Sequence, residues 1–103
     1  MTEQKLKNIL DESGIPFAYR KWESEKETPY GVFLLVDESN FYADGALYFH
    51  IARYQVELYT DKKSPMDEKK VEKALSDSGV NYEKSEYYIE SENLYQIIYE
   101  CEV

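Results

Sequence analysis

Ala46-Leu-Tyr-Phe-His-Ile-Ala-Arg-Tyr-Gln-Val-Glu-Leu-Tyr-Thr60 is the longest run in the chain that reads as uninterrupted β-strand, and its reading decides the fold. Aromatic and β-branched residues suit a pleated, half-buried surface, and neither Gly nor Pro interrupts them. At about 3.3 Å per residue the run reaches roughly 50 Å, more than twice the ~17–20 Å of a common strand. One small core cannot cover that length. Leu47, Phe49 and Ile51 fall on one parity, whereas Tyr54, Val56 and Leu58 fall on the other, with Ala52 and Arg53 at the crossover. Side chains alternate with period two, so the change means either a β-bulge near Ile51 to Arg53 or two halves facing different partners. The second half is expected to be core strand, and the first half an extension that packs outside its own domain.

Working towards the N-terminus, Tyr30-Gly-Val-Phe-Leu-Leu-Val36 is apolar on both parities, as in a central strand covered on both faces or lying at an interface. Between it and the long strand, Asp37 to Gly45 reads as a long polar turn interrupted by Phe41 and Tyr42. Phe17 to Arg20 is a short strand, and Lys21 to Pro29 a charged loop that carries Trp22. The first helix is expected over Glu3 to Ser13, with Thr2 as N-cap and a stripe of Leu6, Ile9, Leu10 and Ser13. Gly14 stands where a left-handed cap belongs, and Pro16 cannot continue the helix.

Towards the C-terminus, Ser64-Pro65 supplies an N-cap and a proline at the first helical position. That second helix, Pro65 to Ser78, should bury Val71, Ala74, Leu75 and Ser78 before Gly79. Asn81 to Glu90 and Asn93 to Val103 then form a hairpin across Ser91-Glu92, with Tyr95, Ile97, Tyr99, Cys101 and Val103 on one face. Two stretches, Leu10 to Phe17 and Leu75 to Tyr82, echo each other as helix end, glycine and entering strand. The predicted fold is therefore α+β, in the order α-β-β-β-α-β-β. It has a mainly antiparallel sheet, two helices on one face and a long strand or hairpin that outruns the core.

A chain of 103 residues is expected to be a single domain, 1–103. A hydrophobic content of 43% excludes a disordered chain, and no segment approaches the length of a membrane span. The start, Met-Thr-Glu-Gln-Lys, has no apolar signal core, and one cysteine, Cys101, fits a reducing compartment; both suggest a soluble product made in the cytosol. The net charge of -9 argues against nucleic-acid binding through phosphates, which needs Lys and Arg to replace counterions. It leaves solubility, a basic partner or a surface past which DNA slides. Eleven tyrosines suit sheet faces that another subunit covers without sealing.

No residue pattern carries chemistry. His50 lacks a Ser in a nucleophile elbow to serve, and Cys101 falls on the apolar parity, where a thiol behaves as a small hydrophobe. The acidic Asp37 to Gly45 segment lacks the oxygen spacing of a calcium loop. No phosphate-binding glycine loop or zinc-spaced Cys/His set is present, so the expectation is no catalysis, no cofactor and no metal. Phe41 and Tyr42 in a polar segment either tuck under their own sheet or contact a neighbouring subunit. Trp22 among charges poses the same choice.

Taken together, Tyr54-Gln-Val-Glu-Leu-Tyr-Thr-Asp-Lys-Lys63, the Ser-Pro-opened helix, Tyr82 to Val103 and the N-terminal helix ending Ser-Gly-Ile-Pro-Phe-Ala-Tyr19 cover nearly the whole chain. They resemble the small tail-terminator and head-tail joining proteins of long-tailed phages and prophages of Gram-positive bacteria. The resemblance implies an α+β subunit of a ring, commonly a hexamer, which caps the tail tube, docks it to the head connector and lets DNA pass without specific binding. It implies assembly in the host cytoplasm and a place in the virion neck, with no membrane and no catalytic residues. Head-completion and adaptor proteins at the same junction are alternatives, and from another class an acidic DNA mimic or host-defence inhibitor. The expected subunit contact comprises Ala46 to Ile51 and the Asp37 to Gly45 segment, with Phe41, Tyr42, Leu47, Phe49, Ile51 and Trp22 as its residues.

Overall fold

The computed structural model describes residues 3–103; Thr2, the expected N-cap, lies outside them. The elements are α1 (Glu3–Asp11), β1 (Phe17–Tyr19), β2 (Tyr30–Ala43), β3 (Ala46–Thr60), α2 (Pro65–Asp77), β4 (Asn81–Ile89) and β5 (Leu94–Glu102). They form one five-stranded sheet in the order β1-β2-β3-β5-β4, antiparallel except for the β1–β2 pair. This is the α+β architecture and element order that the sequence predicts.

The register explains which face is core. Phe33, Val56 and Tyr99 lie side by side across β2, β3 and β5, as do Gly31, Leu58 and Ile97, and Leu35, Tyr54 and Cys101. Leu6 and Leu10 of α1 and Val71 and Leu75 of α2 pack onto these rows in a single buried cluster. Burying each such side chain contributes at most about 1.5–3 kcal/mol. Gly31 is where β1 and β2 come closest to the Phe17 ring: a Cβ added there would stand 2.1 Å from Phe17 Cε1. Both helices end on left-handed glycines, Gly14 (φ 79°) and Gly79 (φ 74°). Ser64 caps α2 by accepting a hydrogen bond from the Asp67 amide, with Pro65 behind it. Ser78, expected inside, is the exposed C-cap residue of α2.

The buried carboxylate is Glu68, only 3% exposed, on the same helical stripe as Val71 and Leu75. Burial would raise its pKa, but hydrogen bonds from Lys63 (2.7 Å) and Lys84 (2.8 Å) outweigh that and hold it below the ordinary carboxylate range. The cluster ties the start of α2 to β4.

The opposite face of the sheet mixes Val32, Leu34 and Ile98 with polar residues. Gln55, Glu57, Tyr59 and Gln96 form a connected set in which the Tyr59 hydroxyl donates to Glu57 at 2.6 Å and Gln96 donates to Tyr59 at 2.8 Å. Burial, then the bond to Glu57, pushes the Tyr59 phenol well above its usual pKa.

β2 and β3 do not stop where the core stops. The predicted polar turn over Asp37 to Gly45 is strand as far as Ala43, and the reversal is the two-residue Asp44-Gly45 turn, with φ of 52° and 77°. Two successive positive-φ residues are what the favoured hairpin turns require, and Asp-Gly provides them at little cost. The result is an arm, an antiparallel ribbon of two strands. The molecule measures 51 × 27 × 23 Å with a radius of gyration of 14.9 Å, against about 13 Å for a compact chain of this length.

Candidate assembly interface

The arm is built by one inserted residue. Leu35 pairs with Tyr54 but Asp37 pairs with Arg53, so Val36 is an extra residue on β2. Before it, odd-numbered residues of β2 face the helices; after it they face away, opposite the odd-numbered residues of β3. A bulge therefore lies level with Arg53, as the parity of the sequence suggests, but on the partner strand. β3 itself runs on in unbroken register from Phe49 to Thr60. Its apolar residues shift instead from the helix face, at Tyr54, Val56 and Leu58, to the open face, at Phe49 and Ile51. A second register shift, between Phe41 and Tyr42, leaves Tyr48 as the extra residue of β3 near the tip.

Cross-strand pairs hold the ribbon. The Phe41 and Phe49 rings stack at 4.4 Å between centroids and 13° between planes. Asp37 accepts a 2.5 Å ion-paired hydrogen bond from Arg53 Nε, and Asn40 Oδ1 lies 2.5 Å from His50 Nδ1 on the other face. Such pairs contribute about 0.2–1 kcal/mol each, and a two-stranded ribbon alone is marginal in water.

What the arm presents is apolar and uncovered. Val36, Phe41, Tyr42, Leu47, Tyr48 and Phe49 are 54%, 44%, 66%, 58%, 73% and 44% exposed. Taking about 200 Å² per aromatic residue, its four aromatics alone leave roughly 450 Å² open, as much as the largest patch on a typical monomer. Phe41 and Tyr42 are thus not tucked under the sheet. Leu47 and Phe49 lie outside the core, and Ile51 is half-buried at the arm's root. The backbone is open as well. β5 leaves β3 at Arg53–Glu102, with Ala52 and Val103 exchanging two 2.9 Å backbone bonds, so among the described residues no strand pairs with that side of Ala46 to Ile51. β1 covers only Gly31 to Phe33 of β2, leaving the outer edge past Val36 equally free of strand partners. In the notch below the arm, a groove of about 530 Å³ is bounded by Val36, Arg53, Tyr82 and Glu102.

Trp22 does not join this surface. Its Nε1 donates to the Gly31 carbonyl at 3.0 Å, at the far end of β2 from Phe41, and Lys26 Nζ sits 4.7 Å above its ring. Trp22, expected to share the subunit contact, thus lies apart from the other residues of that group, half-buried against its own sheet. Conversely, Val36 and Tyr48 belong to the surface although the sequence reading did not single them out. The signal for both was Asp44-Gly45 flanked by two aromatic-rich runs, a short-range hairpin pattern.

No family model matches this chain, and no curated protein matches it in sequence. His50 stands exposed on the arm beside Asn40, with Glu38 at 3.8 Å, and neither of these partners is a nucleophile it could activate. Cys101 is buried in the sheet, and burial pushes its thiol pKa up to about 12, far from a reactive thiolate. Among the described residues no group of three or more His, Cys, Asp or Glu side chains is placed to hold a metal ion, and no helix is long and apolar enough to cross a membrane.

Proposed function

We propose that this chain is a structural subunit that assembles with copies of itself through the β2–β3 arm, as a ring at the head-tail junction of a long-tailed phage. In this reading it is a tail terminator or head-tail joining protein that performs no catalysis, assembles in the host cytoplasm and remains in the virion neck. The observation that carries it is the arm: a ribbon outside the core, apolar on its surface and with unpaired strand edges on both sides. A monomer gains nothing from such a feature, since exposed edges invite association. The resemblance of nearly the whole chain to phage neck proteins supplies the phage context.

The acidity fits the same role. Each chain brings a net charge of -9, and a ring of such subunits repels DNA phosphates overall, so the genome would pass without adhering. A phosphate-mimicking role would need carboxylates standing free in a row. Here Asp11, Asp77, Asp67 and Glu72 each pair with a neighbouring lysine, which favours the ring reading over the mimic.

The test is to mix the purified protein with tail tubes of the phage or prophage that carries it and to examine them by negative-stain microscopy. The expected result is a ring seated on tube ends. A protein that remains monomeric, leaves tube ends bare and competes with DNA for a DNA-binding enzyme would overturn the proposal.

A further inference from the structure

A second groove, of about 920 Å³, lies on the sheet face away from the helices, at the end remote from the arm. Its floor is two adjacent rows of β2 and β3, Tyr30 with Tyr59 and Val32 with Glu57. Trp22, in the loop before β2, forms one wall, and Leu94, at the start of β5, the other. The groove offers a cation two kinds of partner. The first is aromatic: Trp22 and the stacked rings of Tyr30 and Tyr59, 5.1 Å apart. The indole face already attracts a cation of the chain itself, Lys26 Nζ. The second is charge. Glu25, Glu27, Glu57 and Glu92 line the groove against Arg20 and Lys26, and among the described residues none of the four carboxylates is in an ion pair. Glu57 decides the argument. It is half-buried in the middle of the sheet, and the donors that reach it, Gln55, Tyr59 and Gln96, are all uncharged. Glu68, on the other face, is instead held between two lysines. A carboxylate partly withdrawn from water is best satisfied by an opposite charge, and the chain brings none to Glu57.

We infer that this groove receives an arginine side chain from a different polypeptide, its guanidinium paired with Glu57 and laid against the aromatic rings. Arginine suits the site better than lysine, because its planar fork matches a carboxylate and stacks on rings, whereas an ammonium is more strongly hydrated. The volume is that of a ligand site rather than of one guanidinium, and Val32 and Leu94 put apolar surface beside the charge. The occupant is therefore an arginine flanked by apolar residues. The arm of a second copy does not fit: residues 37 to 52 contain Asp37, Glu38 and Asp44 and neither Lys nor Arg. The inference does not depend on assembly through the arm.

Trp22 is the only tryptophan of the chain, so its fluorescence reports on the groove without a label. The probe is the capped tripeptide Leu-Arg-Leu, titrated at low salt beside the same peptide with citrulline in place of arginine and beside arginine amide alone. The arginine peptide should change Trp22 emission saturably, and the citrulline peptide and arginine amide should each bind about tenfold or more weakly, the worth of a charge-assisted hydrogen bond. Glu57→Gln, close in shape to the native residue, should weaken the arginine peptide by a similar factor, and Lys26→Ala, which vacates the indole face, should bind it several-fold more tightly. Circular dichroism checks that Glu57→Gln is folded; if it is not, Glu27→Gln/Glu92→Gln, at exposed positions, takes its place with a several-fold loss expected. No saturable change with folded protein up to millimolar peptide would overturn the inference. So would equal binding of the citrulline peptide or of arginine amide, undiminished binding by the glutamine variant, or weaker binding by Lys26→Ala. A wild type that binds the arginine peptide yet stays monomeric at every concentration would overturn the assembly reading and leave this groove standing.

Discussion

Replacing Leu47 and Phe49 by aspartate separates the assembly role of the arm from its role in the fold. Fully burying a Leu or Phe side chain is worth about 1.5–3 kcal/mol, and roughly half of each is still exposed in the lone subunit. Covering them in an interface therefore stabilises each contact by about 2 kcal/mol together. Two carboxylates in their place must be desolvated, which adds at least ~2 kcal/mol of opposition. A loss of about 4 kcal/mol per contact is roughly a thousandfold in affinity. The fold itself should lose the Phe41–Phe49 stacking, about 0.5–1.5 kcal/mol, and the weaker edge contact of Phe49 with Tyr48, because neither replaced residue belongs to the buried cluster. Sedimentation velocity over a concentration series should thus show a monomer with an unchanged far-ultraviolet spectrum and a Tm lowered by less than about 10 °C. Retention of the wild-type oligomer would refute the reasoning, and so would a variant that fails to fold.

Two further substitutions probe the body of the molecule. Gly31→Ala forces a methyl group into the Phe17 ring at a buried position, so thermal denaturation should show a loss of about 1–3 kcal/mol, relieved in the double variant Gly31→Ala/Phe17→Leu. Glu68→Gln should cost about 1–3 kcal/mol at neutral pH by removing the anion that Lys63 and Lys84 share. Because the folded-state pKa of Glu68 is depressed, its contribution is present above the unfolded carboxylate pKa and is lost as pH falls through the folded value. The difference in Tm between wild type and Glu68→Gln should therefore shrink on acidification below about pH 4. A difference that stayed constant or grew would count against the ion pairs.

Much of the fold was legible because local signals agreed with the tertiary result. Gly14 and Gly79 end the helices where a left-handed residue was needed, Ser64-Pro65 opens α2, and the even spacing of Tyr54, Val56 and Leu58 marks the core face of β3. The arm was half legible. The parity change along β3 correctly separated core from extension, but the polar composition of Asp37 to Asn40 read as loop, and strand pairing with Arg53 to His50 overrode it. The bulge at Val36 could not be assigned to β2 from periodicity, since Tyr30 to Val36 is apolar on both parities and shows no slip. The place of Trp22 away from the arm was not legible for a different reason. Its neighbours in sequence are charged, yet the loop folds back and gives its indole N–H the Gly31 carbonyl, a long-range contact that no local pattern encodes. Glu68 was overlooked in a charged helix, although its spacing three residues before Val71 already put it on the buried stripe.

Amide hydrogen exchange gives the most direct reading of the arm. In dilute protein the amides of Phe41 to Ile51, held by two strands and little core, should exchange far faster than those of Val56, Leu58 and Ile97 in the middle of the sheet. Raising the concentration until the protein assembles should slow exchange across the arm selectively. Exchange along Phe41 to Ile51 that is as fast in the assembled protein as in the monomer would contradict the claim that this ribbon is where one copy meets the next.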